Sequence, residues 1–145
     1  MGIAIGSDGP VALDTAVFIY YVEEHPSFLP LIEHLFEAAD AGSGQIVTSA
    51  VTLLELLVIP YRNEDFKLAA RYEELMSRSR GIRMIDLDRS QLRAAASLRA
   101  KQRIRTVDAI QIAAALASGC TTFVTNDLRV PKIPGLRVVQ LSELG

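Results

Sequence analysis

Short apolar runs alternate with longer stretches of helical periodicity along this chain. Val11-Ala12-Leu13 reads as a first strand, and Phe18-Ile19-Tyr20-Tyr21-Val22 opens a helical region that His25-Pro26 interrupts. From Leu29 to Ala41, Leu31, Leu35 and Ala38 recur at helical spacing and predict a second helix. The turn Gly42-Ser43-Gly44 leads into a strand at Ile46-Val47-Thr48. Ser49 is an N-cap for a helix from Ala50 to Ile59, which Pro60 is expected to stop. Glu64 to Arg78 is amphipathic and helical in pattern, Gly81 breaks it, and Ile82 to Ile85 follow as a strand. Asp88 and Gln91 have capping-box spacing for a helix from Arg89 to Lys101. Thr106 is the expected cap of the next helix, Val107 to Ala117, which Gly119 ends. Thr121 to Val124 and Arg137 to Leu141 complete the strands.

Strands separated by helices predict an α/β fold, a parallel sheet of about five strands with helices on both faces. No repeat or linker divides the chain, so residues 1–145 are expected to form one domain, with 1–9 as a flexible N-terminal extension.

Four carboxylates stand out against this pattern. Asp14 ends the first apolar run, and Glu55 interrupts Leu53-Leu54-Glu55-Leu56-Leu57. Asp108 opens an alanine-rich helix, and Asp127 follows Phe123-Val124 through Thr125 and Asn126. Of the helical neighbours of Glu55, three (Val51, Val58 and Ile59) are apolar and one is Thr52, so Glu55 does not lie on a regular solvated stripe. A buried, unpaired carboxylate is costly, and a cation offsets that cost. The plainer readings are helix-dipole stabilisation for Asp108 and turn chemistry for Asp14 and Asp127. Asp14 and Asp127 both follow strands, at the edge where open parallel sheets bind ligands. Hard divalent cations take oxygen ligands, so four converging acids would make a metal-dependent phosphodiesterase.

Composition narrows the classes without choosing among them. Half of the residues are hydrophobic and 22% are charged, which is ordinary globular composition. Fifteen basic and 17 acidic residues give a net charge of −2. Neutralising four acids with metal leaves −2 + 4 = +2, so an anionic substrate is neither advertised nor excluded. The lone Cys120 cannot form an intrachain disulfide, which fits a reducing cytoplasm, and its place before Thr121-Thr122-Phe123-Val124 makes it a small strand-entry residue. No apolar run approaches the roughly 20 residues of a membrane span, and no secretory signal opens the chain. His25 and His34 are not paired in zinc-ligand spacing.

The set resembles the PIN-domain ribonucleases, especially VapC-type toxins of toxin–antitoxin modules. The resemblance is carried by Val11-Ala12-Leu13-Asp14-Thr15, Thr48-Ser49-Ala50-Val51-Thr52-Leu53-Leu54-Glu55, Thr106-Val107-Asp108-Ala109-Ile110-Gln111-Ile112-Ala113-Ala114-Ala115 and Thr125-Asn126-Asp127. Together these run from Val11 to about Leu141. The first motif commonly reads Asp-Thr/Ser-Asn, whereas position 16 here is Ala, which removes a supporting hydrogen bond but no acid. The stretch before Val11 is longer than in short family members.

The resemblance implies a PIN-like, Rossmann-like three-layer α/β/α sandwich. It implies that Asp14, Glu55, Asp108 and Asp127 bind Mg²⁺, with Mn²⁺ as a substitute. Asp14 and Asp108 would be core ligands. Glu55 would bind metal or accept a water proton, and Asp127 would complete the first site or hold a second metal. One metal and two are both open. By the same match Thr125 supports the site with its hydroxyl, Thr15 flanks it, and Asn126 orients ligand or water. Metal-assisted attack of water would leave 5′-phosphate and 3′-hydroxyl RNA ends. Arg99, Lys101, Arg103 and Arg105 precede Asp108 and are candidate RNA phosphate contacts. A homodimer and a cognate antitoxin are implied partners, with Phe18–Val22 and Phe28–Phe36 as candidate contact segments, although core packing explains most of their apolar residues. Two rival functions are a noncatalytic interaction module of the same fold and a small-molecule phosphatase. The phosphatase reading draws on Asp86-Leu87-Asp88, where Asp88 already has a capping explanation.

Overall fold

The computed structural model describes residues 9–144, so the expected extension lies outside the described residues except for Gly9. The elements run β1 (Val11–Leu13), α1 (Thr15–Val22), α2 (Leu29–Asp40), β2 (Ile46–Ser49), α3 (Ala50–Arg62), α4 (Phe66–Arg78) and β3 (Ile82–Ile85). They continue as α5 (Arg89–Lys101), α6 (Thr106–Ala117), β4 (Thr122–Thr125), β5 (Arg137–Gln140) and a closing 3₁₀ turn, Leu141–Glu143.

The strands form one sheet in the order β3-β2-β1-β4-β5, and every pairing is parallel. Alternation along each strand sends side chains to opposite faces, and here both faces are apolar. Val11, Leu13, Ile46, Val124 and Val139 join a core with residues of α1, α2, α3 and α4, including Phe18, Ile32, Leu56 and Tyr72. Their strand neighbours Ala12, Val47 and Phe123 join a second core with Ala95 of α5 and Ala109, Ile112 and Ala113 of α6. Two apolar faces need two helical layers, which gives the expected three-layer α/β/α architecture. Small alanines let α6 lie close against the central strands.

Several element ends differ from expectation. Pro60 sits inside α3, which continues to Arg62. A proline in the last turn removes one intrahelical hydrogen bond, the one to the Leu56 carbonyl, and leaves the earlier ladder intact. Glu64 takes a left-handed conformation with φ 53°, so α4 begins only at Phe66, capped by Asp65 through Leu68 N–H at 3.1 Å. Asp88 caps α5 as expected, accepting from Gln91 N–H at 2.9 Å, but the reciprocal half of the capping box is missing, since Gln91 Oε1 has no partner. Thr106 is the first helical residue of α6 and not its cap; that position falls to Arg105. The fourth strand is shifted by one residue and ends at Thr125. α4 ends at Arg78 with Ser79 as its C-cap, before Gly81 is reached; a Cβ on Gly81 would lie 2.3 Å from the Ala39 carbonyl oxygen, so only glycine permits this approach of α2 to the start of β3.

The two segments expected to contact partners are largely internal. Phe18, Val22, Leu31, Ile32, Leu35 and Phe36 are buried in the first core, and Tyr21 stacks on Phe36. Exposed large apolar residues instead gather on α3 and the start of α4, where Leu54, Val58, Ile59, Tyr61 and Phe66 face solvent. Cys120 is buried at the entry to β4, as expected, and burial pushes its thiol up to about 11, far from thiolate reactivity at neutral pH. Among the described residues no helix is long and apolar enough to cross a membrane.

Candidate functional site

The strand order reverses direction at β1. From β1 the chain builds β2 and β3 on one side and then returns to add β4 and β5 on the other. Connections leave in opposite directions at such a point, and a crevice opens beyond the carboxyl ends of the two central strands. Asp14 directly follows β1, and Asp127 lies two residues beyond β4. Glu55 is carried by α3, which springs from the end of β2, and Asp108 lies in the first turn of α6. All four line one cleft of about 760 Å³. A larger groove of about 810 Å³ lies at the opposite, amino-terminal edge of the sheet and contains none of these acids.

Asp14 occupies the N-cap position of α1 but makes no capping bond. Its Oδ2 accepts a 2.5 Å hydrogen bond from Thr125 Oγ1, across the seam between β1 and β4, and the Thr15 backbone also stabilises the carboxylate. Burial raises the Asp14 pKa above the ordinary aspartate value, and the Thr125 bond opposes that rise. The charges of Asp108 and Glu55 raise it further. These three acids therefore feel one another. Asp108 is 3% exposed, and its position in the first turn of α6 also suits the helix dipole.

Glu55 is held from beneath. Thr15 Oγ1 donates to Glu55 Oε1 at 2.5 Å, and Gln111 Nε2 donates to Thr15 Oγ1 at 2.8 Å. The same amide donates to Thr52 Oγ1 at 2.9 Å, which shares a 2.7 Å hydrogen bond with Thr48. Gln111 is thus the hub of a buried polar network, a role the sequence reading missed. The available signal was a polar residue three positions after Asp108 in an otherwise alanine-rich apolar helix. Its Oε1 is buried without a partner.

Asp127 is held differently. Arg129 binds it with both Nε and Nη2, each at 3.0 Å, and with its backbone N–H at 2.9 Å. Arg105 Nη2 donates to Asp127 Oδ2, while Arg105 Nε donates to Asp108 Oδ2 at 2.9 Å. The Arg129 bond, helped by Arg105, holds the Asp127 carboxyl below the usual carboxylate range.

The supporting residues divide. Thr125 and Thr15 each donate a hydrogen bond to one of the acids. Asn126 clamps local structure, donating to the Tyr20 hydroxyl at 3.2 Å and accepting from Ser142 N–H at 3.0 Å. Arg99 braces the loop before α6, through the Ile104 carbonyl at 3.1 Å and the Thr106 hydroxyl at 2.8 Å. Arg105 lies in the cleft itself, and Lys101 and Arg103 are exposed on the approach to it. Asp88 of the Asp86-Leu87-Asp88 motif caps α5, and neither of its acids lines the cleft.

The PIN domain family model matches residues 11–136, a span that includes every acid of the cleft. The chain belongs to the PIN domain family. Among solved structures, this PIN domain is similar to a chain of VapBC2 from Rickettsia felis, bound to a DNA fragment from its promoter, with 20% identity and a TM-score of 0.69 over 90% of this chain and 98% of that one. A toxin–antitoxin complex from Klebsiella pneumoniae matches with 19% identity and a TM-score of 0.66, over 90% and 97% of the two chains. VapC20 of Mycobacterium tuberculosis, a sarcin–ricin loop cleaving toxin, matches with 15% identity and a TM-score of 0.62, over 78% and 86%. At these identities the likeness concerns the fold. A comparison with curated protein sequences found no match.

The acids fit a divalent cation in part. Asp108 Oδ1 and Glu55 Oε2 accept no hydrogen bond among the described residues, and Asp14 beside them is destabilised as an anion. This is the donor set of a hard cation. Yet among the described residues no three acids stand together in ready ligating geometry, and Asp127 is engaged by arginines.

Proposed function

We propose that this PIN domain is a metal-dependent endoribonuclease that hydrolyses RNA phosphodiester bonds, with Mg²⁺ as cofactor and Mn²⁺ as a substitute. We further propose that it is the toxin of a type II toxin–antitoxin pair, working in the cytoplasm as a single domain. The observation that carries the catalytic reading is the electrostatic meeting of Asp14, Asp108 and Glu55 at the seam of β1 and β4. A cation there relieves the burial and repulsion that raise the Asp14 pKa.

When bound, the metal supplies a water-derived nucleophile near neutral pH and polarises the scissile phosphate. Asp14 and Asp108 are the core ligands. Thr125 fixes the direction of the Asp14 carboxylate, and Thr15, braced by Gln111, fixes that of Glu55. Glu55 is left with Oε2 to ligate metal or take the proton of the attacking water. Arg105, Lys101 and Arg103 meet the RNA phosphates, and the products carry 5′-phosphate and 3′-hydroxyl ends. Fold likeness to a toxin–antitoxin complex and to a toxin named for RNA cleavage supports the biological assignment. The exposed apolar face of α3 and the start of α4 is the surface offered to an antitoxin or a second copy.

The test is cleavage of a mixed RNA pool with Mg²⁺, Mn²⁺ or EDTA. Cutting should require metal and fall by at least about a hundredfold in Asp14→Asn and Asp108→Asn, which remove charge at the core of the site. The binding of Asp127 by two arginines favours a second reading, a noncatalytic interaction module. Absence of cutting by metal-loaded, antitoxin-free protein that still binds a partner would select it.

A further inference from the structure

An ionised carboxylate offers about four lone-pair sites. On Asp127 all of them are taken. Oδ1 accepts from the backbone N–H of Arg129 at 2.9 Å and from Arg129 Nε at 3.0 Å. Oδ2 accepts from Arg129 Nη2 at 3.0 Å and from Arg105 Nη2. Through Nε the same Arg105 guanidinium also holds Asp108 Oδ2. A single side chain therefore spans two of the four acids, and a cation that draws on those oxygens must first displace it.

The mounting of Arg105 suits such an exchange. Its backbone is the N-cap of α6, and the residues on either side of it are bound by Arg99 through the Ile104 carbonyl and the Thr106 hydroxyl. Its own side chain is 49% exposed, against 4% for that of Asp108. The base is pinned while the arm reaches solvent. A guanidinium fork fits a carboxylate and a phosphodiester equally well, so an arm released from the acids meets the substrate's phosphate without moving its helix.

We infer that Arg105 is a built-in latch on the acid cleft: it competes with the divalent cation for Asp108 and Asp127, and once displaced it binds an RNA phosphate. This rests on the metal-nuclease reading above. The latch keeps the cleft closed to cations until metal and RNA arrive together, because metal occupies the carboxylates while phosphate takes the arginine. By linkage, each then strengthens the binding of the other. Arg129 completes the hold on Asp127 and leaves Asp108 untouched.

The test is calorimetric titration of full-length protein with Mn²⁺, for wild type, Arg105→Gln, Arg105→Lys and Arg129→Gln, together with the anisotropy of a fluorescent single-stranded RNA read immediately after mixing in Mn²⁺. Removing a cation a few ångströms from the ligands should tighten Mn²⁺ binding about five- to tenfold in Arg105→Gln. RNA binding should weaken in the same variant, so that the two affinities move in opposite directions. Lys, with one point charge and no fork, should fall between. Arg129→Gln should tighten Mn²⁺ less and serves as a second probe of the hold on Asp127 if Arg105→Gln does not fold. Mn²⁺ affinity unchanged or weakened in folded Arg105→Gln, or unchanged in Arg129→Gln where only that variant folds, overturns the latch while leaving the metal site standing. Absence of Mn²⁺ uptake at millimolar concentration in wild type and in folded Arg105→Gln alike overturns the metal reading and the latch with it.

Discussion

The two halves of the cleft are built from different physics. Around Glu55 the partners are neutral hydroxyls and an amide, linked in a chain from Thr48 to Glu55, and Asp14 has the buried Thr125 hydroxyl. Around Asp127 the partners are two exposed arginines. A buried neutral network has no solvent to replace a lost partner, so it is rigid and intolerant. An exposed ion pair exchanges with water and salt and contributes little to stability. One half is fixed in place, and the other can rearrange.

The largest test of that contrast is Gln111→Glu, which puts an acceptor-only carboxylate where an amide donates to two threonines. Unfolding free energy should fall by about 3 kcal/mol near neutral pH, as for other uncompensated buried charges. The midpoint should drop by about 6–12 °C and recover as the pH is lowered and the new carboxyl protonates. Thermal melts across pH would show this, and a melt identical to wild type would mean the network is soft.

Acid should affect the two halves in opposite senses. The Asp14 pKa is raised in the fold, above all by burial. Its contribution to the stability of metal-free protein is therefore fully present below the unfolded value and lost as pH rises through its folded pKa. The Asp127 pKa is lowered, first by Arg129. Its contribution is present above the unfolded value and lost as pH falls through the folded one. In EDTA at pH 7, Asp14→Asn should stabilise the protein by about 1 kcal/mol, or roughly 2–4 °C, although the same variant loses cleavage when metal is supplied. A loss of stability in that variant would show that the carboxylate is already compensated within the fold.

The smallest effect belongs to Arg129→Gln. The melting point should fall slightly at low salt, and the difference from wild type should fade toward ~1 M NaCl, where screening acts within about 3 Å. A difference that persists in high salt would move this arginine into the rigid half.

What could be read from the sequence follows the same division. Asp14, Glu55, Asp108 and Asp127 were legible because each interrupts a local pattern, and local patterns also revealed the alternation of strands and helices. The Gln111 hub was not, because its partner Thr15 lies 96 positions away, and spacing along the chain says nothing about a contact made through the fold. Arg99 and Arg105 looked alike as basic residues before Asp108. Only the turn into α6 separates them, sending one guanidinium to the loop backbone and the other across two acids. Pro60 reads as a stop, yet its missing N–H falls in the last turn of α3, where little of the helix remains to disrupt.

The place of β4 beside β1 sets the order of events during synthesis. Asp14 is made 111 positions before its partner Thr125, and the cleft between them requires β4 to dock against β1, which β2 flanks on its other side. Such long-range parallel pairing forms late. A nascent chain still on the ribosome therefore carries Asp14 and Glu55 without the strand that completes their surroundings. If the chain is the nuclease proposed above, its acid cleft stays incomplete until β4 has been made and docked, surrounded though the chain is by RNA.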